Sequence, residues 1–180
     1  MYSFSPLERI KKEFDNLYKA PVATLGLTVG LFNENNIRHW RLTLCPPKDS
    51  SYAGGFFSLS VFFPPAYPTV PPIICFLTPI YHLNVNPIAN NPERIPLGYV
   101  NIVPLKFWNI NCTMKELLIH IYSLFYYSDP ECAYGFERLI EFKNLRAVYE
   151  EKAKHFAKKF AKLTTYDNFN NRNEDWDFSL

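Results

Sequence analysis

The chain of 180 residues contains no run of about eighteen uninterrupted apolar residues, the length that a membrane-spanning helix requires. Its first residues, Met-Tyr-Ser-Phe-Ser-Pro, have neither the basic-then-apolar order of a secretory signal nor the Arg-rich pattern of a transit peptide. We therefore expect a protein without a membrane span that resides in the cytoplasm or nucleus, with membership of an organellar assembly as an alternative.

The four cysteines and four histidines show none of the close, paired spacings that are typical of zinc sites or disulfide frameworks. The cysteines are expected to be reduced, and we predict no metal and no cofactor. A net charge of +2 is too small to indicate nucleic-acid binding, and most basic residues fall on two predicted helices where a solvated face explains them. We predict protein partners and no nucleic acid.

With 48% hydrophobic and 17% aromatic residues, the chain has enough apolar material for one core, which we assign to residues 1–163. Residues 164–180 show no periodicity and carry four acids and one arginine, so we expect a flexible acidic tail. Trp176 and Phe178 stand among those acids and are predicted to anchor a partner. The alternative is that both aromatic rings fold back onto the apolar surface of the chain itself.

A helix is predicted over residues 5–20, because Ser5 and Glu8 form a capping box and Pro6 suits the first helical position. Apolar residues recur in it at helical spacing, and the remaining face is basic. We expect that face to bind a partner protein through three residues, Arg9, Lys11 and Lys12.

Four short runs separated by turn residues follow, and they predict an antiparallel meander over residues 23–32, 39–44, 56–63 and 73–76. The third run alternates Phe57, Leu59, Val61 and Phe63 with smaller or opposite-facing residues, as a half-buried strand does. After an irregular segment, residues 79–108, three helices are predicted over residues 113–127, 133–141 and 145–163. The fold class is therefore α+β.

This order of elements, together with several short sequences, resembles the ubiquitin-conjugating enzymes over about residues 5–162. The sequences are Trp40, Ser-Tyr-Ala-Gly-Gly at 51–55, Phe-Pro-Pro-Ala-Tyr-Pro at 63–68 before Pro71-Pro72, Ile-Tyr-His-Leu-Asn at 80–84, Gly-Tyr-Val-Asn at 98–101, Trp108 and Asp129-Pro130. The resemblance implies the fold of that family, with an N-terminal helix, a four-stranded antiparallel meander and C-terminal helices.

By the same resemblance, the family's chemistry needs a cysteine thiolate that accepts ubiquitin as a thioester. Asn101 stands at the matching position, and a carboxamide cannot form that bond. The prediction from this position is a pseudoenzyme. Asn84 matches the family's oxyanion-stabilising asparagine, in a triplet with His82 and with Leu83 where the family usually has proline; a purely structural role for Asn84 is equally compatible with the sequence.

Further departures concern the surroundings of this position. Residues 87–97 form an insertion that is expected to rearrange or cover the rim of the site, and the two loops that face ligases in the family differ at residues 69–70 and 109–111. Three functions stay open at this point. The chain is a protein-binding module or cofactor in ubiquitin signalling, a structural subunit of a large multiprotein complex, or an unorthodox enzyme that uses Cys112.

Overall fold

The computed structural model describes residues 5–20 and 25–162. The helices are α1 (Pro6–Lys19), α2 (Val103–Lys106), α3 (Met114–Ser123), α4 (Phe136–Asn144) and α5 (Arg146–Phe160), with a 3₁₀ turn over Pro130–Cys132. The strands are β1 (Thr28–Leu31), β2 (His39–Leu44), β3 (Phe57–Phe62) and β4 (Ile73–Phe76). This arrangement confirms the predicted α+β fold. The predicted tail at residues 164–180 lies outside the described residues.

Helix α1 begins as the sequence predicts. The Ser5 hydroxyl accepts a hydrogen bond from the main-chain N–H of Glu8, and the Glu8 carboxylate accepts one from the N–H of Ser5, so the capping box is complete. Ile10 and Leu17 are the buried residues of this helix and place it against the sheet. The same device starts α3, where Thr113 and Glu116 cap the helix.

The sheet has the strand order β1-β2-β3-β4, and every pair is antiparallel. On β3, the side chains of Phe57, Leu59 and Val61 are fully buried, as is Phe63 just beyond the strand. Phe62 points the other way and remains 37% exposed. The predicted buried face of this strand is therefore confirmed, and it forms the centre of the core against the helices.

Strand β1 is shorter than the predicted run of residues 23–32. Gly26 has a φ of +51°, so the backbone turns there. Its pairing with β2 therefore begins only at Thr28. The bounds of β2 and β4 match the predictions. The short helix α2 and the 3₁₀ turn lie in segments that carry too few residues to show a period.

Helix α5 lies against the start of β3. The main-chain N–H of Phe56 donates to the carbonyl of Ala161 at 2.8 Å, which joins the last described turn of the chain to the sheet. No helix among the described residues is both long and apolar enough to cross a membrane.

Candidate functional site

Asn101 follows a short extended segment that lies beside two other parts of the chain. Tyr99 pairs with Cys75 of β4, and Val100 pairs with Val85 of the irregular segment. Gly98 starts this segment with a φ of +75°, and a Cβ there would lie 2.1 Å from the carbonyl oxygen of Phe76. A glycine is therefore needed for the segment to approach β4 so closely.

The structure brings Asn101 and Asn84 together. The main-chain N–H of Asn101 donates to the carbonyl of Asn84 at 2.8 Å. Both side-chain amides donate to the same acceptor, the carbonyl oxygen of Cys132, at 3.1 Å from Asn101 and 2.9 Å from Asn84. Asn101 is half-buried and Asn84 is fully buried.

The carboxamide of Asn84 is held by the segment from Asp129 to Cys132. Its Nδ2 donates to the carbonyl oxygens of Asp129, at 2.7 Å, and of Cys132. Its Oδ1 accepts the main-chain N–H of Asp129 at 2.9 Å. Both amide hydrogens are thus directed at main-chain carbonyls, which supports the structural role for Asn84.

His82 is buried and uses both ring nitrogens. Nδ1 accepts the main-chain N–H of Asn84 at 3.0 Å, so the ring proton of the neutral imidazole lies on Nε2. Nε2 lies 3.0 Å from the carbonyl oxygen of Leu124 and 3.2 Å from the Ser128 hydroxyl oxygen. Burial lowers the pKa of His82 to about 4, which agrees with a neutral ring that orients the triplet.

Leu83 is also fully buried, at the position where the family usually has proline. Unlike a proline, it has a main-chain N–H, and this group donates to the Tyr149 hydroxyl of α5 at 2.8 Å. Its carbonyl accepts the N–H of Tyr134 at 2.7 Å. The main-chain N–H and carbonyl of Leu83 therefore both have hydrogen-bond partners, and the bond to Tyr149 connects the triplet to α5.

The two ends of the insertion at residues 87–97 are held together by hydrogen bonds from Asn86, which directly precedes it. Asn86 Nδ2 donates to the carbonyls of Ile88, Ile95 and Pro96 at 2.9 to 3.1 Å. Asn91 adds a hydrogen bond to the carbonyl of Ile95 and accepts the N–H of the same residue. The described loop is compact, and Asn101 keeps part of its surface exposed beside it.

The two cysteines that matter for thiol chemistry occupy different places. Cys132 lies beside Asn101, is 1% exposed, and has its thiol pKa raised to about 11 by burial and by the hydrogen bond with Asp129. Cys112 lies by α1, where its carbonyl accepts a hydrogen bond from Arg9 at 2.8 Å, and burial raises the pKa of its thiol as well. The sequence singled out Cys112, whereas the structure places the main-chain carbonyl of Cys132 against Asn101.

A second group of polar contacts joins α1 to two loops. Arg9 donates to the carbonyls of Ile110 and Cys112, and its Nε pairs with Glu13 at 2.9 Å. Glu13 in turn accepts the Tyr67 hydroxyl at 3.0 Å and the main-chain N–H of Met114 at 2.5 Å. We call this set the Arg9–Glu13 clamp.

The clamp changes how the predicted basic face of α1 is described. Arg9 is largely occupied by contacts within the chain, whereas Lys11 and Lys12 are exposed. Glu13 and Tyr67 were not predicted, because a glutamate on a charged helix resembles a solvated residue in the sequence. The predicted anchors Trp176 and Phe178 lie outside the described residues.

Comparisons with known proteins agree with this geometry. The family model described as ubiquitin-conjugating enzyme matches residues 9–157. Among curated proteins, the chain is 30% identical over 157 residues to ubiquitin-conjugating enzyme E2 13 of Arabidopsis thaliana, in a match that covers 83% of this chain and 92% of that protein.

These matches contradict the prediction that the chain is not an enzyme, because the matching family and the Arabidopsis relative are both named as conjugating enzymes. That prediction depended on Asn101 alone. The group of Cys132 that contacts Asn101 is its main-chain carbonyl. The extent of the match over the helices, the sheet and the triplet shows that the chain belongs to the ubiquitin-conjugating enzyme family.

Proposed function

We propose that this chain acts in ubiquitin conjugation by binding proteins of that pathway, namely ubiquitin, another conjugating enzyme or a ligase. The observation that carries the proposal is the Arg9–Glu13 clamp. It connects α1, the loop that contains Tyr67, and the loop between α2 and α3 through contacts of 2.5 to 3.0 Å. Trp108 adds to the same set, since its Nε1 donates to the carbonyl of Pro68 at 2.7 Å.

These hydrogen bonds therefore hold three segments that are far apart in the sequence together as one surface. Its loops present large apolar side chains to solvent: Val70 is 42% exposed, Ile110 is 52% exposed and Phe107 is 70% exposed. Exposed apolar side chains on a preorganised surface are typical of protein-binding sites, because little conformational entropy is lost when a partner covers them. Lys11 and Lys12 add positive charge on α1 itself.

The departures at residues 69–70 and 109–111 bear on which partner fits. Val70 and Ile110 supply apolar anchors of their own in these loops. A partner must then offer a surface that matches these side chains, which favours a dedicated partner over the general set of ligases.

The experiment is a purification of the full chain from cells under native conditions, with stoichiometric partners identified by mass spectrometry. We expect ubiquitin-pathway proteins, and we expect Phe107→Ser to reduce their recovery about tenfold, as loss of an apolar anchor does. Phe136→Ser is the matched control, since Phe136 is 75% exposed on α4, a helix that contributes no residue to the clamp.

A stable complex that contains no ubiquitin-pathway protein would contradict the proposal and support the structural-subunit alternative. Equal losses with Phe107→Ser and Phe136→Ser would also contradict it, because the binding would not depend on the clamp surface. In parallel, incubation with activating enzyme, ATP and ubiquitin, followed by reduction, measures thioester formation. Cys132→Ser and Cys112→Ser then assign any reductant-sensitive adduct to one sulfur.

A further inference from the structure

A groove runs between α5 and the loop that precedes β3. Its volume is about 480 Å³, and its lining comes from two stretches of the chain, residues 50–56 and residues 154–162. The groove is distinct from the site around Asn84 and from the clamp surface, because it shares no lining residue with either.

One wall of the groove is basic. Lys154, Lys158 and Lys162 line it at intervals of four residues, so they follow one another along a single face of the helix and its end. All three are exposed, and no Asp or Glu is among the described lining residues. The positive charge on this wall favours an acidic occupant.

The opposite wall contains Ser50 and Ser51 together with Ala53, two glycines and Phe56, and the helix side of the groove adds two alanines. Phe56 is 37% exposed above the groove, and Ala157 and Ala161 lie at its floor. A Cβ at Gly55 would lie 2.9 Å from the Cβ of Ala161, so the loop and the helix are in direct contact there. The floor is therefore fixed, and an aromatic ring could cover it without a rearrangement of the backbone.

The chain itself contains a segment of matching chemistry. Asp175, Trp176, Asp177 and Phe178 alternate acid and aromatic residues. In an extended conformation, successive side chains point to opposite sides, so both rings would share one side and both carboxylates the other. Such a segment matches a groove that offers an exposed aromatic ring and an alanine floor beside a basic wall.

The length of the intervening chain permits this contact. The groove ends at Lys162, the last described residue, and the acidic aromatic segment begins at Asp175. These thirteen steps along the chain can span roughly 40 Å at about 3.3 Å per residue. The lysine wall extends over about 12 Å of helix at 1.5 Å per residue, so the segment can turn back and run along it.

We propose that residues 175–178 bind in the groove of their own chain, with Trp176 and Phe178 against Phe56 and the two aspartates toward the lysines of α5. The groove is then an intramolecular site for an acidic aromatic peptide. Of the two alternatives for the tail, binding to a partner and folding back, this inference selects the second and names the surface.

The test uses the full isotope-labelled chain and nuclear Overhauser effects between the rings of residues 176 and 178 and the side chains of Ala53 and Phe56. We expect these effects in the parent chain. Lys158→Glu is expected to weaken them about threefold, in line with the loss of one exposed ion pair. Lys158→Glu combined with Asp177→Lys is expected to restore them, because the pair is re-formed with the charges exchanged.

Lys143→Glu is the matched control, because it makes the same charge change at an exposed position of α4. It should leave the effects unchanged. The proposal is overturned if the parent chain shows no such effects, or if Lys143→Glu weakens them as much as Lys158→Glu. It is also overturned if a mixture of differently labelled copies shows the effects between copies, because the occupant would then be a second chain.

Discussion

Asn84 and Asp129 are joined by two reciprocal hydrogen bonds, one from the Asp129 N–H to the Asn84 carboxamide oxygen and one from the Asn84 amide to the Asp129 carbonyl. These two bonds resemble the pair of main-chain hydrogen bonds that two residues exchange in an antiparallel sheet, with the Asn84 side chain in place of one strand. They hold the segment at residues 129–132 against the triplet in the absence of any strand or long helix there.

The first prediction concerns this pairing. Asn84→Asp keeps the shape of the side chain but removes both amide hydrogens, so that a carboxylate oxygen faces the carbonyls of Asp129 and Cys132. We expect the free energy of unfolding in a urea titration at pH 7 to fall by about 3 kcal/mol, because buried acceptors lose their donors. Asn101→Asp, at a half-buried position with one such hydrogen bond, should cost about 1 kcal/mol. Equal losses for the two variants would show that Asn84 does not hold the segment.

The second prediction concerns the pH dependence of stability. The pKa of His82 is lowered by burial to about 4 in the folded chain, below the ordinary value of 6.5. Between these values the unfolded chain binds the proton and the folded chain does not, so stability falls as the pH is lowered from 6.5 toward 4. The decrease attributable to His82 is about 3 kcal/mol, because each tenfold difference in proton affinity between the folded and unfolded chains corresponds to about 1.4 kcal/mol.

Denaturant titrations at several pH values check this contribution. His82→Gln should lower stability at pH 7 and flatten the dependence between pH 4 and 6.5. If the free energy of unfolding of His82→Gln depends on pH as strongly as that of the parent chain, groups other than His82 cause the dependence.

The third prediction concerns the core. Phe57→Ala and Phe63→Ala each remove a fully buried ring, and we expect a loss of about 3 to 5 kcal/mol in the free energy of unfolding. Phe62→Ala lies on the partly exposed face of the same sheet and should cost about 1 kcal/mol. A loss below about 1 kcal/mol at Phe57 or Phe63 would contradict the packing described for β3.

The fourth prediction separates backbone strain from steric overlap. Gly98 and Gly54 have nearly the same φ, +75° and +77°, but an added Cβ would overlap the Phe76 carbonyl only at Gly98 and would meet nothing within 4 Å at Gly54. Gly54→Ala should therefore cost about 1 kcal/mol, the cost of the left-handed conformation. Gly98→Ala should cost about 3 kcal/mol or more, since it adds overlap to the same strain. Thermal melts of the two variants make the comparison. Similar midpoints would mean that the backbone of β4 moves at Phe76 to make room for the added methyl group.

Local signals made much of the fold predictable. The capping box at Ser5 and Glu8 fixed the start of α1, and alternation along β3 identified its buried face. The error in β1 has a local cause too, because the positive φ of Gly26 interrupts a run whose composition favours a strand.

The site was predictable only in part. The resemblance singled out Asn84 and Asn101, and the structure shows that both contact the carbonyl of Cys132. The contacts that complete the site come from distant segments, such as Tyr149 beneath Leu83, and no pattern within either segment encodes that pairing. The clamp was missed for the same reason, since Glu13 meets Tyr67 and Met114 only after the chain has folded.

The hydrogen bond between Phe56 and Ala161 has a consequence for synthesis on the ribosome. Strands β2, β3 and β4 pair with their sequence neighbours and can form as a local meander while the chain is still emerging. The start of β3 must wait for its helical partner until nearly all of the described chain has been translated. During that interval the apolar face of the meander, which α3 and α5 later cover, stays open to chaperones that bind such surfaces.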